Sequence, residues 1–241
     1  GSATDSFSAI KHLCFDGEAL AASRHISLPA LVKLLDEDFS NDELLRQRLL
    51  NKIPKYGNDN DAADELMVRI FNTCVDELDG RPDSRGGSYR VEMLPTTCHV
   101  YFGSVTGASP DGRKARRPLS EGISPVQGAD RNGPTAVLKS AAKMDHLMTG
   151  GTLLNMKFSP SLAETEEGLQ KWAHLVRSYF RLDGHHIQFN IVQAELLREA
   201  LANPEDHRDL IVRVAGYSDY FCDLSKELQE EILERTEHTG L

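Results

Sequence analysis

The sequence has few cysteines, no long apolar run and no recognisable leader. Its four cysteines lie far apart and form no C-x-x-C pair. That usage is typical of a reducing compartment and argues against a zinc or iron–sulfur site. No stretch is long and apolar enough to span a bilayer, and the first residues, Gly1 to Asp5, lack the basic and apolar segments of a signal peptide. These absences predict a cytoplasmic protein without a membrane span.

Positive charge is also scarce. Lys and Arg number 27 against 37 Asp and Glu, which gives a formal net charge of −10. Such an acidic excess argues against general binding to nucleic acid or to anionic membranes. The one basic cluster, 113–117, is expected to be solvated or salt-bridged, with a docking patch for a partner as the alternative.

Several standard catalytic and ligand-binding motifs are missing. The sequence contains no P-loop, no G-x-G-x-x-G after a strand, no H-E-x-x-H, no G-x-S-x-G and no EF-hand loop. His185 and His186 open a predicted strand without a third ligand at helical spacing, so a structural pair is favoured over a metal site. Asp59, Asp61 and Asp64 fit the N-cap and first turn of a helix, where acids face the positive end of the dipole. We therefore expect no metal.

What the sequence does contain divides into three parts. Residues 1–80 read as helical, and the strongest helix follows Asp59, where apolar residues recur every three to four positions. The part from 81 to 163 is rich in turns, with ten of the 18 glycines between 86 and 151 and six of the ten prolines between 82 and 134. Within it, 98–102 and 152–155 look like buried strands. Ordered loops of this length usually build a site.

The last part, 164–241, alternates helix and strand. A helix ending at 180 is followed by a strand over 186–192, a helix over 194–202, a strand over 210–214, a loop, and a final helix over 226–235. Strand, crossover helix and strand in succession predict a βαβ unit with a largely parallel sheet. The fold class is therefore α/β.

Gly216 follows the predicted strand 210–214 and allows two interpretations. The first is an ordinary glycine bend at the end of a strand. In the second, loss of one α-hydrogen gives a carbon radical flanked by an electron-donating amide nitrogen and an electron-withdrawing carbonyl. Without a Cβ, that radical can flatten and delocalise. It also needs a buried, water-poor and oxygen-free site.

The segment 213–218, Arg-Val-Ala-Gly-Tyr-Ser, resembles the C-terminal signature of the glycyl radical enzymes. Other segments also resemble this family, in its order along the chain: 55–59, 99–103, 110–113, 128–130, 133–137 and 150–155. They are more similar to the lyase and dehydratase branch, with its choline trimethylamine-lyases and its diol, glycerol and hydroxyproline dehydratases, than to pyruvate formate-lyase. The resemblance covers essentially the whole chain.

The resemblance implies the second half of an α/β barrel with surrounding helices and a radical-glycine loop near the C-terminus, the part 81–163 supplying barrel strands and loops. It implies no bound cofactor. Instead, a radical S-adenosylmethionine iron–sulfur activating enzyme removes a hydrogen atom from Gly216. The radical then takes the hydrogen of an upstream cysteine, and the thiyl attacks a small-molecule substrate beside a hydroxyl group, so that a neighbouring substituent such as water or an amine is eliminated. Anaerobic function and a homodimer are further implications.

The sequence departs from the family in one respect. The Gly-Cys-Val-Glu loop, with its catalytic cysteine and glutamate base, does not occur. Its nearest echo surrounds Cys74, which we expect to be a packed core cysteine, and Cys222 is expected to be structural. We therefore expect the chain to be the C-terminal portion of a larger enzyme and inactive alone. The alternative is a non-catalytic spare part that docks on an oxygen-cleaved enzyme and restores it.

Site residues follow from the same resemblance. Gly216 is the expected radical site. Its loop is expected to be supported by Arg213, Val214, Ala215, Tyr217 and Ser218. Substrate-shaping side chains are expected around the strand near 155, with core packing as the alternative: Leu154, Asn155, Met156 and Phe158.

Overall fold

The computed structural model describes residues 1–16, 25–94 and 96–240, and its first part is helical. The first helix, α1, continues into a wider helical turn, Lys11–Phe15. The helices of this part and of the middle part are α1 Ser2–Ile10, α2 Leu28–Asp36, α3 Glu43–Asn51, α4 Asp61–Leu78, α5 Cys98–Ser104 and α6 Pro134–Ala142.

Helices and strands alternate from residue 154 onward. The elements are β1 Leu154–Phe158, α7 Glu166–Arg181, β2 Ile187–Ile191, α8 Ala194–Ala202, β3 Ile211–Arg213, β4 Ser218–Tyr220, α9 Lys226–Glu234 and β5 Glu237–His238. This mixture confirms the α/β class.

The start of α4 shows how the acidic residues near 60 are used. Asn60, rather than Asp59, is the N-cap, because its side chain accepts a hydrogen bond from the Ala62 amide at 3.0 Å. Asp59 lies in the left-handed region at φ +52° and pairs with Lys139 and Lys143 of the α6 segment. Buried Asp64 also binds Lys143, at 2.7 Å. These carboxylates tie α4 to α6.

A three-stranded parallel sheet has the order β2–β1–β5. The β1–α7–β2 segment is therefore a βαβ unit, as the predicted class requires. The βαβ unit predicted from the sequence ran across α8, from the strand at 186–192 to the one at 210–214, and that prediction was wrong. β3 pairs instead with β4 as an antiparallel hairpin, with Arg213 opposite Ser218. The reason is local: a four-residue loop between the two strands returns the chain directly, and antiparallel pairing needs no crossover.

The prediction of a strand over 98–102 was also wrong, because this segment begins helix α5. His99 and Gly103 are buried while Tyr101 and Phe102 are exposed. This spacing of four is helical, whereas the β-branched and aromatic composition suggested a strand. Gly103 faces the chain at Arg117 so closely that a Cβ there would lie 2.4 Å from the Arg117 carbonyl oxygen.

The described residues form three hydrophobic clusters. The largest lies between α4, α6, α7 and the sheet, and a second joins α1, α2 and α3. The third belongs to the C-terminal part and is built from α8, α9, the hairpin and neighbouring residues: Val192, Leu197, Ala200, Val212, Val214, Phe221, Leu228 and Ile232. This third cluster holds the base of the hairpin that carries Gly216.

Lys157 connects the sheet to the last helix. It is 1% exposed, and its ammonium donates hydrogen bonds to the carbonyls of Leu233 at 2.9 Å and Ile232 at 3.4 Å. These carbonyls end α9, where the helix dipole is negative and favours a cation. Burial nevertheless lowers the pKa of Lys157 to about 8.

We expect Gly103→Ala to destabilise the protein. Alanine is the better helix former by about 1 kcal/mol, but its Cβ would meet backbone atoms of Arg117 and Pro118, and overpacking costs about 1–3 kcal/mol. The measurement is urea unfolding. Gly107→Ala is the control, because no heavy atom of the described residues lies within 4 Å of a Cβ there, chain neighbours aside. A stabilised Gly103→Ala variant would show that this contact does not hold α5.

We expect the stability contributed by Lys157 to depend on pH above 8. The folded-state pKa of about 8 lies below the ordinary value of about 10.4. Between these values the unfolded chain binds more protons, so the unfolding free energy rises with pH. Urea unfolding from pH 7 to pH 10 should show this rise in the wild type relative to Lys157→Met. Lys226→Met, at an exposed site on α9, is the control. Parallel pH profiles for the wild type and Lys157→Met would contradict the expectation.

Candidate functional site

Gly216 lies in the loop of the β3–β4 hairpin. The loop, 214–217, is closed by a hydrogen bond from the Val214 amide to the Tyr217 carbonyl at 2.9 Å. Gly216 has φ +82°, a conformation that side chains rarely adopt. Within the described residues, no heavy atom beyond its chain neighbours lies within 4 Å of the position a Cβ would take. The backbone conformation thus favours glycine, while space for a side chain is available.

The loop is anchored on one side and open on the other. Val214 and Ala215 are 0% and 1% exposed, and Val214 belongs to the C-terminal hydrophobic cluster. Gly216, Tyr217 and Ser218 are exposed. A radical needs a buried, water-poor site. The described part of this chain does not enclose Gly216 in that way, because this residue is exposed.

Arg213 is the residue of the predicted support set with the most contacts to the loop. Its guanidinium donates to Gln188 Oε1 at 2.9 Å, to Ser218 Oγ at 3.2 Å and to the Gly216 carbonyl at 3.3 Å. Its backbone amide and carbonyl each bond the side chain of Asn190 at 2.6 Å. Arg213 therefore fixes both the strand and the loop that follows it.

Sequence analysis missed two residues of this site, Gln188 and Asn190. Both are buried, at 6% exposure, and both lie on β2. Gln188 Oε1 accepts a hydrogen bond from the Gly216 amide at 3.2 Å as well as the one from Arg213. A signal was present in the sequence: polar residues two apart in a buried strand lie on one face of the sheet.

The predicted substrate-shaping residues separate between the two faces of β1. Leu154, Met156 and Phe158 are at most 4% exposed and pack in the largest hydrophobic cluster, between α4, α6, α7 and the sheet. Asn155, which points the other way, donates to Glu121 and accepts from its cross-strand neighbour Gln188. Asn155 thus connects to the Gly216 loop, and a substrate-shaping role for all four stays a prediction.

The terminal helix provides a second, charged connection to the loop. Arg235, just after α9, donates to the Val214 carbonyl at 2.9 Å and forms an ion pair with Glu231 at 2.7 Å. Glu231 is 1% exposed. Burial alone would raise the pKa of Glu231, but Arg235 and His99 outweigh it and hold the pKa below its usual range. The charged pair therefore persists at neutral pH and holds α9 against the loop.

Two cysteines were assigned roles from the sequence. Cys74 was expected in the core, and this was wrong, because its side chain is exposed. The apolar buried residues of α4 include Met67, Phe71 and Val75. Cys222 is partly buried, and its thiol donates to the His207 carbonyl at 3.3 Å. That contact fits the structural role expected for it.

The described ranges hold no group of three or more His, Cys, Asp or Glu that could bind a metal ion. In the same ranges, no helix combines the length and apolar character needed to cross a membrane.

Two arginines of the basic cluster 113–117 bind groups of this chain. Arg113 is 7% exposed and donates hydrogen bonds to carbonyls of its own loop. Arg117 forms ion pairs with Glu230 and Glu234.

Comparison with known proteins places this geometry in a family. Residues 119–222 match a family model described as glycine radical, and residues 1–103 match one described as pyruvate formate lyase-like. The first range contains the whole loop and Gln188 on β2, which accepts the hydrogen bond of the Gly216 amide.

Individual relatives cover nearly all of this chain. It is 56% identical over 239 residues to trans-4-hydroxy-L-proline dehydratase of Clostridioides difficile. The aligned region covers 99% of this chain and 30% of that relative. The crystal structure of hydroxyproline dehydratase from the same organism, with trans-4-hydroxy-L-proline bound, superposes with a TM-score of 0.94 at 55% identity over 100% of this chain and 30% of that one. The glycerol-bound B12-independent glycerol dehydratase of Clostridium butyricum gives 0.91 at 42% identity, over 98% of this chain and 29% of that one.

The chain thus spans about 30% of the length of these relatives. Two family models match adjacent parts of this chain, and the relatives align with it along nearly its whole length. These matches identify its family. The chain belongs to the glycyl radical enzyme family, in its lyase and dehydratase branch.

Proposed function

We propose that Gly216 carries a glycyl radical, and that this chain is the radical-bearing portion of a lyase or dehydratase. One observation carries the proposal: Gly216 sits at the tip of a hairpin whose loop is held by the buried side chains of Gln188 on β2 and of Arg235 after α9. Its presence within the matched range 119–222 supports the same assignment.

The choice of glycine has an electronic reason at this position. An alanine Cβ would meet open space, and the left-handed φ would cost it only about 1–2 kcal/mol. A bulky environment therefore does not demand glycine here. A planar carbon radical conjugated with both flanking peptide groups does, since any side chain would oppose flattening.

The enclosure that a radical needs would come from parts of the enzyme outside this chain. The tip of the hairpin is exposed, while the relatives are about three times longer than the matched region. The Gly-Cys-Val-Glu loop of the family is absent from this sequence. We infer that the upstream catalytic part supplies both the cysteine and the walls that exclude water and oxygen.

The chemistry then proceeds by hydrogen-atom transfers. A radical S-adenosylmethionine activating enzyme removes one α-hydrogen atom from Gly216. The glycyl radical takes the hydrogen of the upstream cysteine thiol, which restores the glycine and leaves a thiyl. The thiyl takes a hydrogen atom from a substrate carbon next to the leaving group, and the leaving group departs with a proton, as water in a dehydration. The product radical then takes a hydrogen atom back from the cysteine thiol, and the thiyl so formed takes one from Gly216, which restores the glycyl radical. Dividing a difficult C–H cleavage into nearly balanced steps is the logic of covalent catalysis.

We propose water as the leaving group and a small hydroxylated molecule as the substrate. Trans-4-hydroxy-L-proline is the first candidate, because the relative named for it is 56% identical over 99% of this chain. Glycerol is the second, from a relative of lower identity. Loss of an amine or a similar group, and elimination next to a hydroxyl-bearing carbon, stay within the same mechanism. We further propose an anaerobic, cytoplasmic homodimer.

The spare-part alternative differs in what precedes the radical loop. Spare parts typically carry the terminal stretch, whereas this chain also matches the pyruvate formate lyase-like model over 1–103. That match supports the proposal that this chain is a portion of an enzyme rather than a spare part. Sequencing upstream of the codon for Gly1 discriminates the two, since a continuous reading frame with Gly-Cys-Val-Glu is expected for the enzyme only.

The radical assignment predicts an electron paramagnetic resonance signal. Anaerobic incubation with a cognate activating enzyme and S-adenosylmethionine should give a doublet, split by the remaining α-hydrogen of Gly216. Exposure to oxygen should then cut the chain at or near Gly216 and release the segment to 241. Gly216→Ala should fold and give neither. A doublet and cut that persist in this variant would refute the assignment.

The substrate assignment predicts dehydration by the activated full-length protein. Trans-4-hydroxy-L-proline should lose one molecule of water, and glycerol should react more slowly, with products followed by mass spectrometry. Gly216→Ala is the matched control and should be inactive with both. A wild-type protein that carries the radical but dehydrates neither compound would rule out these two substrates while leaving the radical site intact.

A further inference from the structure

A chain of side-chain amides leads from a buried carboxyl group to Gly216. Glu121, Asn155 and Gln188 follow one another in hydrogen-bonding contact, and Glu121 and Gln188 are 2% and 6% exposed. Asn155 and Gln188 are cross-strand neighbours in the parallel register of β1 and β2. The chain therefore rests on the most regular part of the fold.

The direction of every bond in this chain follows from its first member. The Ser124 hydroxyl accepts a hydrogen bond from the backbone amide of Asn155 at 2.9 Å. Its own hydrogen is donated to Glu121 Oε2 at 3.0 Å. Glu121 Oε2 is an acceptor, so Asn155 must present its NH2 group to it and its carbonyl oxygen to the other side. Burial raises the pKa of Glu121, but a proton on Oε1 would leave Oε2 an acceptor.

Gln188 is then left with one orientation. It meets the carbonyl oxygen of Asn155 with its NH2 group, so its own oxygen faces the hairpin. Both groups found there are donors: the Gly216 amide at 3.2 Å and Arg213 Nε at 2.9 Å. A flipped Gln188 would place its NH2 group against the two donors of the hairpin and its carbonyl oxygen against the carbonyl oxygen of Asn155.

Gln188 and Arg213 together hold both peptide groups that flank the α-carbon of Gly216. Gln188 accepts from the amide nitrogen, and Arg213 donates to the carbonyl oxygen at 3.3 Å. The two side chains are bonded to each other. A change at Gln188 is therefore felt at the amide directly and at the carbonyl through Arg213.

This arrangement matches the electronic demand of a radical at the α-carbon. Accepting a hydrogen bond from the N–H group increases electron release from nitrogen, and donating one to the carbonyl increases electron withdrawal. Both effects move spin from the carbon to its neighbours. Hydrogen bonds that involve a charged group are stronger than neutral ones. The bond from the Arg213 guanidinium to the Gly216 carbonyl should therefore have the larger effect on the spin.

We propose that Gln188 is a positioning residue for the radical at Gly216: it orients the amide of Gly216 and the guanidinium of Arg213, and so sets the distribution of the unpaired spin. The proposal rests on the proposed function of Gly216. Its two parts, the orientation of the amide and the effect on spin, are measured separately.

The first measurement needs no radical. Amide hydrogen exchange of the inactive full-length protein is followed by nuclear magnetic resonance for the wild type, Gln188→Leu and Gln188→Glu. Leu removes the acceptor and should speed exchange at Gly216 by about fivefold, the factor expected for one hydrogen bond. Glu keeps an acceptor oxygen toward Gly216 but turns its other oxygen to the Asn155 carbonyl oxygen, so exchange at Gly216 should be slower than in Gln188→Leu. The Val214 amide, bonded within the hairpin, should not change.

A matched control comes from the same part of the chain. Gln229 donates to the Phe221 carbonyl at 2.7 Å and makes no bond to the loop that holds Gly216. Gln229→Leu should leave exchange at Gly216 unchanged. Unchanged Gly216 exchange in Gln188→Leu, or equal acceleration at Val214, would overturn the proposal, because the first denies the contact and the second means that the whole hairpin opens.

The second measurement uses the activated protein. Gln188→Leu should show a larger α-hydrogen splitting of the doublet, since more spin stays on the carbon, and Gln188→Glu, which keeps an acceptor toward Gly216, should show a smaller splitting than Gln188→Leu. Identical splitting in the wild type and Gln188→Leu overturns the effect on spin. A wild type without any doublet would refute the proposed function instead, and amide exchange would still decide whether Gln188 holds Gly216.

Discussion

The hairpin that carries Gly216 depends on two side-chain amides of β2. Asn190 bonds the amide and the carbonyl of Arg213 at 2.6 Å each, which reproduces with a side chain the pair of bonds that a neighbouring strand would make. Gln188 instead accepts two hydrogen bonds on its oxygen, from the Gly216 amide and from Arg213 Nε. Both side chains are buried, so a substitution that removes their polar atoms would leave their partners unpaired.

This dependence explains why the hairpin needs the rest of the C-terminal part. Two three-residue strands cannot form a stable unit alone. Apolar residues fix its base through the C-terminal cluster, and Arg235 fixes the loop from the other side through the Val214 carbonyl. The ion pair of Arg235 with Glu231 holds that guanidinium in place where both charges are buried. A buried pair of this kind adds little stability overall, but breaking it is costly, and this makes the loop geometry specific.

Prediction from the sequence succeeded where a pattern was long and periodic. Helix α4 and helix α7 follow from apolar residues at helical spacing, and the sheet strand near 187–191 follows from its apolar, β-branched composition. It failed over 98–102, where composition favoured a strand and burial at a spacing of four formed a helix. It also failed for Cys74, which is exposed although helical spacing places it on the same face of α4 as Met67 and Phe71.

The sequence by itself determined the candidate Gly216, since a short motif and its order among other motifs are local properties of the chain. Only the tertiary structure decided its partners. Gln188 and Asn155 lie 28 and 61 positions before Gly216 in the numbering, and they meet at the loop because β1 and β2 run parallel in register. Strand register and the donor and acceptor pattern of buried amides arise from packing, so no local reading of the chain could have assigned them.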